Sequence, residues 1–130
     1  MNRWLAELIG TFALVFCGTG AIVINEQSGG AVTHVGIAIT FGAIVMAMIY
    51  SLGSISGAHL NPAVTLAFTI AGRFKGKEVI PYLISQLAGA FLASATLNYL
   101  FPASETLGAI PLITLHKLIT LANVLILARL

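Results

Sequence analysis

Charged residues are scarce in this sequence. They make up only 8% of the 130 residues, whereas 58% are hydrophobic; in an ordinary soluble domain roughly a quarter of the residues are charged. A soluble fold of this length could not bury so much apolar surface, but a bilayer favours long stretches without charge. The composition therefore argues against a soluble domain and predicts an integral membrane protein.

Cysteine and acidic residues are also rare. The single cysteine, Cys17, leaves no disulfide framework and no thiolate metal cluster to build within the chain. The four acidic residues are scattered over loops and span ends, so they provide neither paired carboxylates for acid–base catalysis nor a metal-ligand spacing. No ionisable pair within a span could bind a driving ion, which disfavours a coupled transporter. We therefore expect no enzyme activity, no metal and no cofactor, and the net charge of +2 gives no reason to expect a nucleic-acid partner.

Three long apolar stretches are each sufficient to cross a bilayer. They cover residues 4–24, 35–53 and 79–101, and a hydrocarbon core about 30 Å thick requires about 20 residues of helix. The first stretch is too long for a signal peptide and contains Glu7, so we interpret it as a retained span. The sequence thus predicts an all-α membrane protein with three transmembrane helices.

A fourth apolar stretch covers residues 112–130. Its polar residues His116, Thr120 and Asn123 are spaced to share one helical face. Such a stripe suits either a span packed against protein or an amphipathic helix in the membrane interface. The sequence predicts a helix here and leaves its placement open.

Basic residues predict the orientation. Arg3 precedes the first span and three further basic residues lie between spans two and three, whereas the loops on the other side, 25–34 and 102–111, contain no Lys or Arg. Basic residues in short loops favour the cytoplasmic side. We expect the amino terminus and the 54–78 region to be cytoplasmic, in the plasma (inner) membrane.

The stretch SGAHLNPAVTLAF, residues 56–68, interrupts this pattern. Asn61 is a favoured N-cap and Pro62 suits the first helical position, so a helix is predicted over about 62–71, with Gly72 as a C-terminal stop. About ten residues give a helix near 15 Å long, which crosses half a membrane. A half-length helix that re-enters the bilayer requires its irregular backbone to be satisfied by protein or by a water-filled cavity.

The helix N-terminus would then lie near the bilayer centre. Its partial positive charge and the Asn61 amide suit a passing water oxygen and oppose the passage of cations. The residues therefore favour a cavity through which water passes; the alternative is an ordinary N-capped helix in a loop.

These residues resemble a known family. SGAHLNPAVT, preceded by MAMIYSLG in the second span and AELIGTF in the first, is similar to the amino-terminal repeat of the aquaporin (major intrinsic protein) family over about residues 3–102. The resemblance implies two inverted repeats with six spans and two half-helices, usually assembled as a homotetramer. It implies that Asn61, Pro62 and Ala63 form the first pore-lining box of the family.

Three other residues receive roles from the resemblance. Phe41 aligns with an aromatic position of the outer selectivity constriction, with plain packing as the alternative. His59 matches a histidine of the first re-entrant loop, where it either lines the cytoplasmic vestibule or packs within the loop. Glu7 matches a buried carboxylate that anchors this loop, with snorkelling to the interface as the alternative. His34 and His116 receive no role.

The sequence also departs from the family pattern. Residues 103–130 contain no second Asn-Pro-Ala box, hence no arginine following one, and residues 112–130 contain Lys117 and no acidic residue. We therefore expect residues 1–109 to form an aquaporin-like first repeat and 110–130 to be an apolar tail that does not match the family, as truncation or a frame change would produce. The expected function is a passive channel for water or small neutral solutes, present as a half-channel. The alternative is a non-conducting membrane remnant or interaction subunit that assembles with full-length relatives.

Overall fold

The computed structural model of the chain describes residues 2–104, within which all regular structure is helical. The expected helix at 112–130 and the boundary at residue 109 lie outside the described residues. Helix α4 is preceded by one 3-10 turn, Gly76–Glu78. The helices are α1 (Arg3–Gln27), α2 (Thr33–Ser56), α3 (Pro62–Ile70) and α4 (Val79–Leu100).

Three of these helices are long and apolar enough to cross a membrane: α1, α2 and α4 with its preceding turn. This confirms the three predicted spans and an integral membrane protein. Helices α1 and α2 extend beyond the predicted apolar limits, to Gln27 and to Ser56. The added residues at these ends include polar ones, which continue the helix beyond its apolar run.

Helix α1 lies between the other two spans and packs on both of them. Its contact with α4 is close because Gly89 has no side chain; a Cβ there would overlap the Leu8 carbonyl oxygen and lie 3.0 Å from the Phe12 nitrogen. Ala6 and Ala93 are fully buried at these contacts. Small residues thus allow backbones to approach, as the spacing of Gly and Ala in these spans predicts.

Helix α2 is covered on one side only by the rest of residues 2–104. Among its residues only Leu52 and Ser56 are buried. Ala38 and Gly42 carry the same small-residue spacing, but both are exposed and nothing within residues 2–104 lies close to Gly42. Small residues permit close packing without requiring it, so the packing predicted for this pair is not present in the described part of the chain.

Helix α3 is the predicted half-length helix. Its nine residues give a length of about 14 Å. It ends at Ile70, one residue earlier than predicted, and Gly72 follows in the left-handed conformation with φ 69°. The Arg73 N–H donates to the Phe68 carbonyl oxygen at 2.9 Å, which satisfies a free carbonyl of the last turn. The helix packs mainly on α4.

Candidate functional site

The site is organised by the buried carboxylate of Glu7. This side chain on α1 is 0% exposed and accepts four hydrogen bonds. The backbone N–H groups of His59 and Leu60 donate at 2.9 and 2.7 Å, the Ser56 hydroxyl at 2.6 Å and the Gln86 amide Nε2 at 2.7 Å. A buried carboxylate is tolerated only when it is this well hydrogen-bonded. Glu7 thus ties α1 to α4 and to the 57–61 loop, and its side chain points into the protein.

The loop that Glu7 holds has an unusual backbone. Ala58 and Leu60 have φ angles of 47° and 55°, in the left-handed region that side chains with a Cβ rarely adopt. Each such residue costs of order 1–3 kcal/mol and persists only where its surroundings fix it. Beyond the Glu7 bonds, the Leu60 carbonyl oxygen accepts the Thr11 hydroxyl at 3.1 Å, and the Ser56 carbonyl oxygen accepts the Tyr82 hydroxyl at 2.7 Å. Two helices, α1 and α4, therefore hold this loop and the end of α2 that leads into it.

Asn61 lies at the end of this loop and begins α3. Its side-chain oxygen accepts the Ala63 N–H at 2.8 Å, and its carbonyl oxygen accepts the Thr65 N–H at 3.1 Å. Pro62 occupies the first position of the helix, where its missing N–H is not needed. Because Oδ1 is used in the cap, the Asn61 amide nitrogen remains to donate to a ligand, and the residue is exposed. The predicted N-cap is confirmed.

A groove of about 390 Å³ runs beside Asn61 and the loop. One side of it is apolar and belongs to α1 and α2. The other side belongs to the 57–61 loop and α3, whose N-terminus carries the positive end of the helix dipole. An apolar groove with a few polar groups suits a small neutral molecule. The lining residues are Leu14, Val45, Ile49, Gly57, Ala58, His59, Leu60, Asn61, Val64 and Phe68.

His59 both packs within the loop and borders the groove. Its side chain is only 9% exposed, and its Nδ1 lies 3.1 Å from the Thr65 hydroxyl oxygen. The ring stacks on Phe68 with centroids 4.9 Å apart and meets the edge of Phe74 at 4.7 Å. Packing within the loop and lining a cavity are therefore compatible for His59. Its role as a residue of the cytoplasmic vestibule stays a prediction.

Phe41 is not among the residues that line the groove beside Asn61. The groove reaches α2 at Val45, about one helical turn from Phe41. Its ring packs over Gly18 of α1, where any Cβ would overlap it. The structure does not bring Phe41 to the groove beside Asn61, and its assignment to a selectivity constriction stays a prediction.

Sequence reasoning missed Thr11, Ser56 and Tyr82, which bond Glu7, the loop or the residue before it, and it missed Thr65 and Gln86. Thr65 and Gln86 are fully buried, and Gln86 Nε2 donates to the Thr65 hydroxyl oxygen at 2.9 Å. A glutamine in the middle of an apolar span is a signal that could have been used, because polar side chains inside a membrane face protein or a cavity. Thr65 carried no comparable signal, since threonine is ordinary on a helix surface. Within residues 2–104, no group of three or more His, Cys, Asp or Glu could hold a metal ion.

Comparison with known proteins gives a consistent result. A sequence model of the Major intrinsic protein family matches residues 1–127, and so extends into the segment from 110 onward. The chain is 55% identical over 100 residues to Aquaporin NIP1-3 of Oryza sativa subsp. japonica, covering 77% of this chain and 35% of that protein. It is 52% identical over 101 residues to Aquaporin NIP1-1 of Arabidopsis thaliana, covering 78% of this chain and 34% of that protein. The chain thus spans about a third of the length of the curated relatives it matches.

Proposed function

Because this chain belongs to the major intrinsic protein family, we propose that it forms part of the wall of a passive membrane channel for water or small neutral solutes. The observation that carries the proposal is the amino end of α3. There Asn61 caps the helix with Oδ1 and keeps its amide nitrogen for a ligand beside an apolar groove. A neutral oxygen can accept from this donor, whereas a cation meets the positive end of the helix dipole in an apolar surrounding.

The chain supplies one side of such a pathway. Asn61 is exposed, and α2 is covered on one side only within residues 2–104. A helix that stops in mid-bilayer with an irregular loop before it requires protein or water on its open side. We propose that a second half of opposite orientation closes the groove, and that residues 1–109 act as one repeat of this design. The assembly would be a homo-oligomer, a tetramer by family resemblance, or a hetero-assembly with full-length relatives.

A second candidate is a non-conducting remnant or interaction subunit. The open groove and the uncovered faces of α2 support this candidate too, because an unclosed pathway fills with lipid as readily as with water. In both cases the chain lies in the bilayer and contacts lipid. We place it in the plasma (inner) membrane with a cytoplasmic amino terminus, on the basis of its basic loop residues.

Osmotic shrinkage of proteoliposomes that contain only this chain tests the first candidate against the second. Where two copies inserted in opposite orientations close the groove, we expect water permeability above that of empty liposomes, and a return to the empty level in Asn61→Asp. Aspartate keeps the helix cap but removes the amide donor and adds a charge. Asn98→Asp, on an exposed position of α4, is the matched control and should leave permeability unchanged. Permeability of the unmodified chain no higher than that of empty liposomes would favour the non-conducting subunit.

A further inference from the structure

The Thr65 hydroxyl lies at the meeting point of three polar groups. Its oxygen is 2.9 Å from Gln86 Nε2, 3.1 Å from His59 Nδ1 and 3.2 Å from the Asn61 carbonyl oxygen. The Thr65 side chain is 0% exposed, so water does not compete for these bonds. A hydroxyl has one proton to donate and two lone pairs that accept, which equals the number of its neighbours.

Two of the three bonds have a fixed direction. The Asn61 carbonyl oxygen can only accept, so it takes the Thr65 proton. The Gln86 amide nitrogen donates to Thr65, because the same nitrogen also lies 2.7 Å from Glu7 Oε2. Reversing this amide would place its oxygen against a carboxylate oxygen, which electrostatics disfavours. One lone pair of the Thr65 oxygen therefore remains for His59.

We propose that Thr65 is a positioning residue that holds neutral His59 in the tautomer with its proton on Nδ1. All three bonds form together only when His59 Nδ1–H donates to the Thr65 oxygen. In the opposite tautomer, Thr65 would have to turn its proton toward Nδ1 and give up its bond to the Asn61 carbonyl oxygen. The buried network thus selects the tautomer opposite to the one that neutral imidazole prefers in water.

This tautomer leaves His59 Nε2 as a bare hydrogen-bond acceptor. Nε2 lies beside Gly57, 3.4 Å from where a Cβ on that residue would stand, and both residues line the groove. Asn61 lines the same groove, and its amide nitrogen is not used in the helix cap and can donate. If the proposed function holds, a water molecule or an alcohol can accept from Asn61 and donate to His59 along one wall. Thr65 touches neither molecule and acts only through the histidine ring.

Nitrogen NMR of the full chain in lipid bilayers reads the tautomer directly. The chain is labelled with 15N-histidine in a His34→Gln, His116→Gln background, so that all ring signals come from His59. At about pH 8.5, two units above the ordinary histidine pKa, the ring is neutral. We expect a protonated, pyrrole-type Nδ1 and an unprotonated, pyridine-type Nε2. A protonated Nε2 in this protein would overturn the proposal.

Three variants separate positioning from general packing. Thr65→Val keeps the shape of the side chain but removes the hydroxyl, and should shift the proton to Nε2. Thr65→Ser restores the hydroxyl and should restore the Nδ1–H signal. Thr69→Val is the matched control, because that hydroxyl bonds only the Thr65 carbonyl oxygen one turn away, and the histidine signals should not move. Unchanged Nδ1–H signals in Thr65→Val would contradict the proposal.

These readings do not depend on transport. If the chain conducts no water while NMR finds Nδ1–H in the parent and Nε2–H in Thr65→Val, that result would contradict the proposed channel and support the role of Thr65. If Thr65→Val does not insert into bilayers, the tautomer of the parent protein decides the proposal by itself.

Discussion

Single polar residues within the apolar spans hold the site together through hydrogen bonds. Glu7 is a buried carboxylate in a span, and no salt bridge to it is present within residues 2–104; its charge is stabilised by four hydrogen bonds instead. Because two of these bonds come from backbone N–H groups of the 57–61 loop, the loop and the charge stabilise each other. The role of Glu7 as a structural anchor stays a prediction, and these bonds are the geometry that favours it.

We expect Glu7→Gln to destabilise the chain by about 3 kcal/mol, because an amide offers one acceptor atom where the carboxylate offers two and turns its own N–H groups toward other donors. Helix loss during denaturant titration in detergent micelles, followed by circular dichroism, measures this. Lys77→Gln, which also replaces a charge by an amide but at an exposed position before α4, is the control and should change stability by less than about 0.5 kcal/mol. Equal stabilities of the two variants would show that Glu7 is not an anchor.

At the scale of helices, small residues permit two spans to approach closely but do not decide which spans touch. The sequence predicts three spans and a half-length helix correctly, because hydropathy and the Asn61-Pro62 pair encode length and helix start. It does not predict which small-residue stripe is used. Gly89 meets α1 whereas Gly42, with the same spacing pattern, meets nothing within residues 2–104. Spacing shows that a helix can be approached closely, and the partner surface decides whether it is.

We expect Gly89→Ala to separate α1 from α4 and to lower the unfolding free energy by about 1–3 kcal/mol, since the added methyl group would overlap the backbone of α1. Denaturant titration in micelles measures the change. Gly42→Ala adds the same methyl group to α2 in open space and should be neutral or slightly stabilising, because alanine is the better helix former. The packing of α4 on α1 would be refuted if both substitutions had the same effect.

At the scale of the whole molecule, the three spans and the half-length helix imply that the turn between α1 and α2 and the turn between α3 and α4 lie on opposite sides of the membrane. The sequence predicts the sides through its basic residues. It does not predict the network of Gln86, Thr65 and His59, because those bonds join residues 21 and 6 positions apart whose meeting depends on how α3 returns against α4. The pattern of polar and apolar residues does not predict how α3 packs against α4.

Labelling of introduced cysteines tests this topology. In a Cys17→Ser background, Ser28→Cys in the turn after α1 should react with a membrane-impermeant maleimide added to intact cells that express the chain. Lys75→Cys, in the turn before α4, should react only after the cells are permeabilised. The reverse pattern would place the amino terminus outside, and labelling of both positions in intact cells would show that the chain does not cross as proposed.

The hydrogen bond from Gln86 to Glu7 joins residues 79 positions apart, and this distance has a consequence for biosynthesis. At roughly 5–20 residues per second, a ribosome needs about 4 to 16 seconds after making Glu7 before it makes Gln86. Throughout that interval the carboxylate lacks one of its donors, and water or the insertion machinery has to solvate it. Glu7 on α1 therefore becomes fully buried only after α4 has been made. The helix that is synthesised first is completed last.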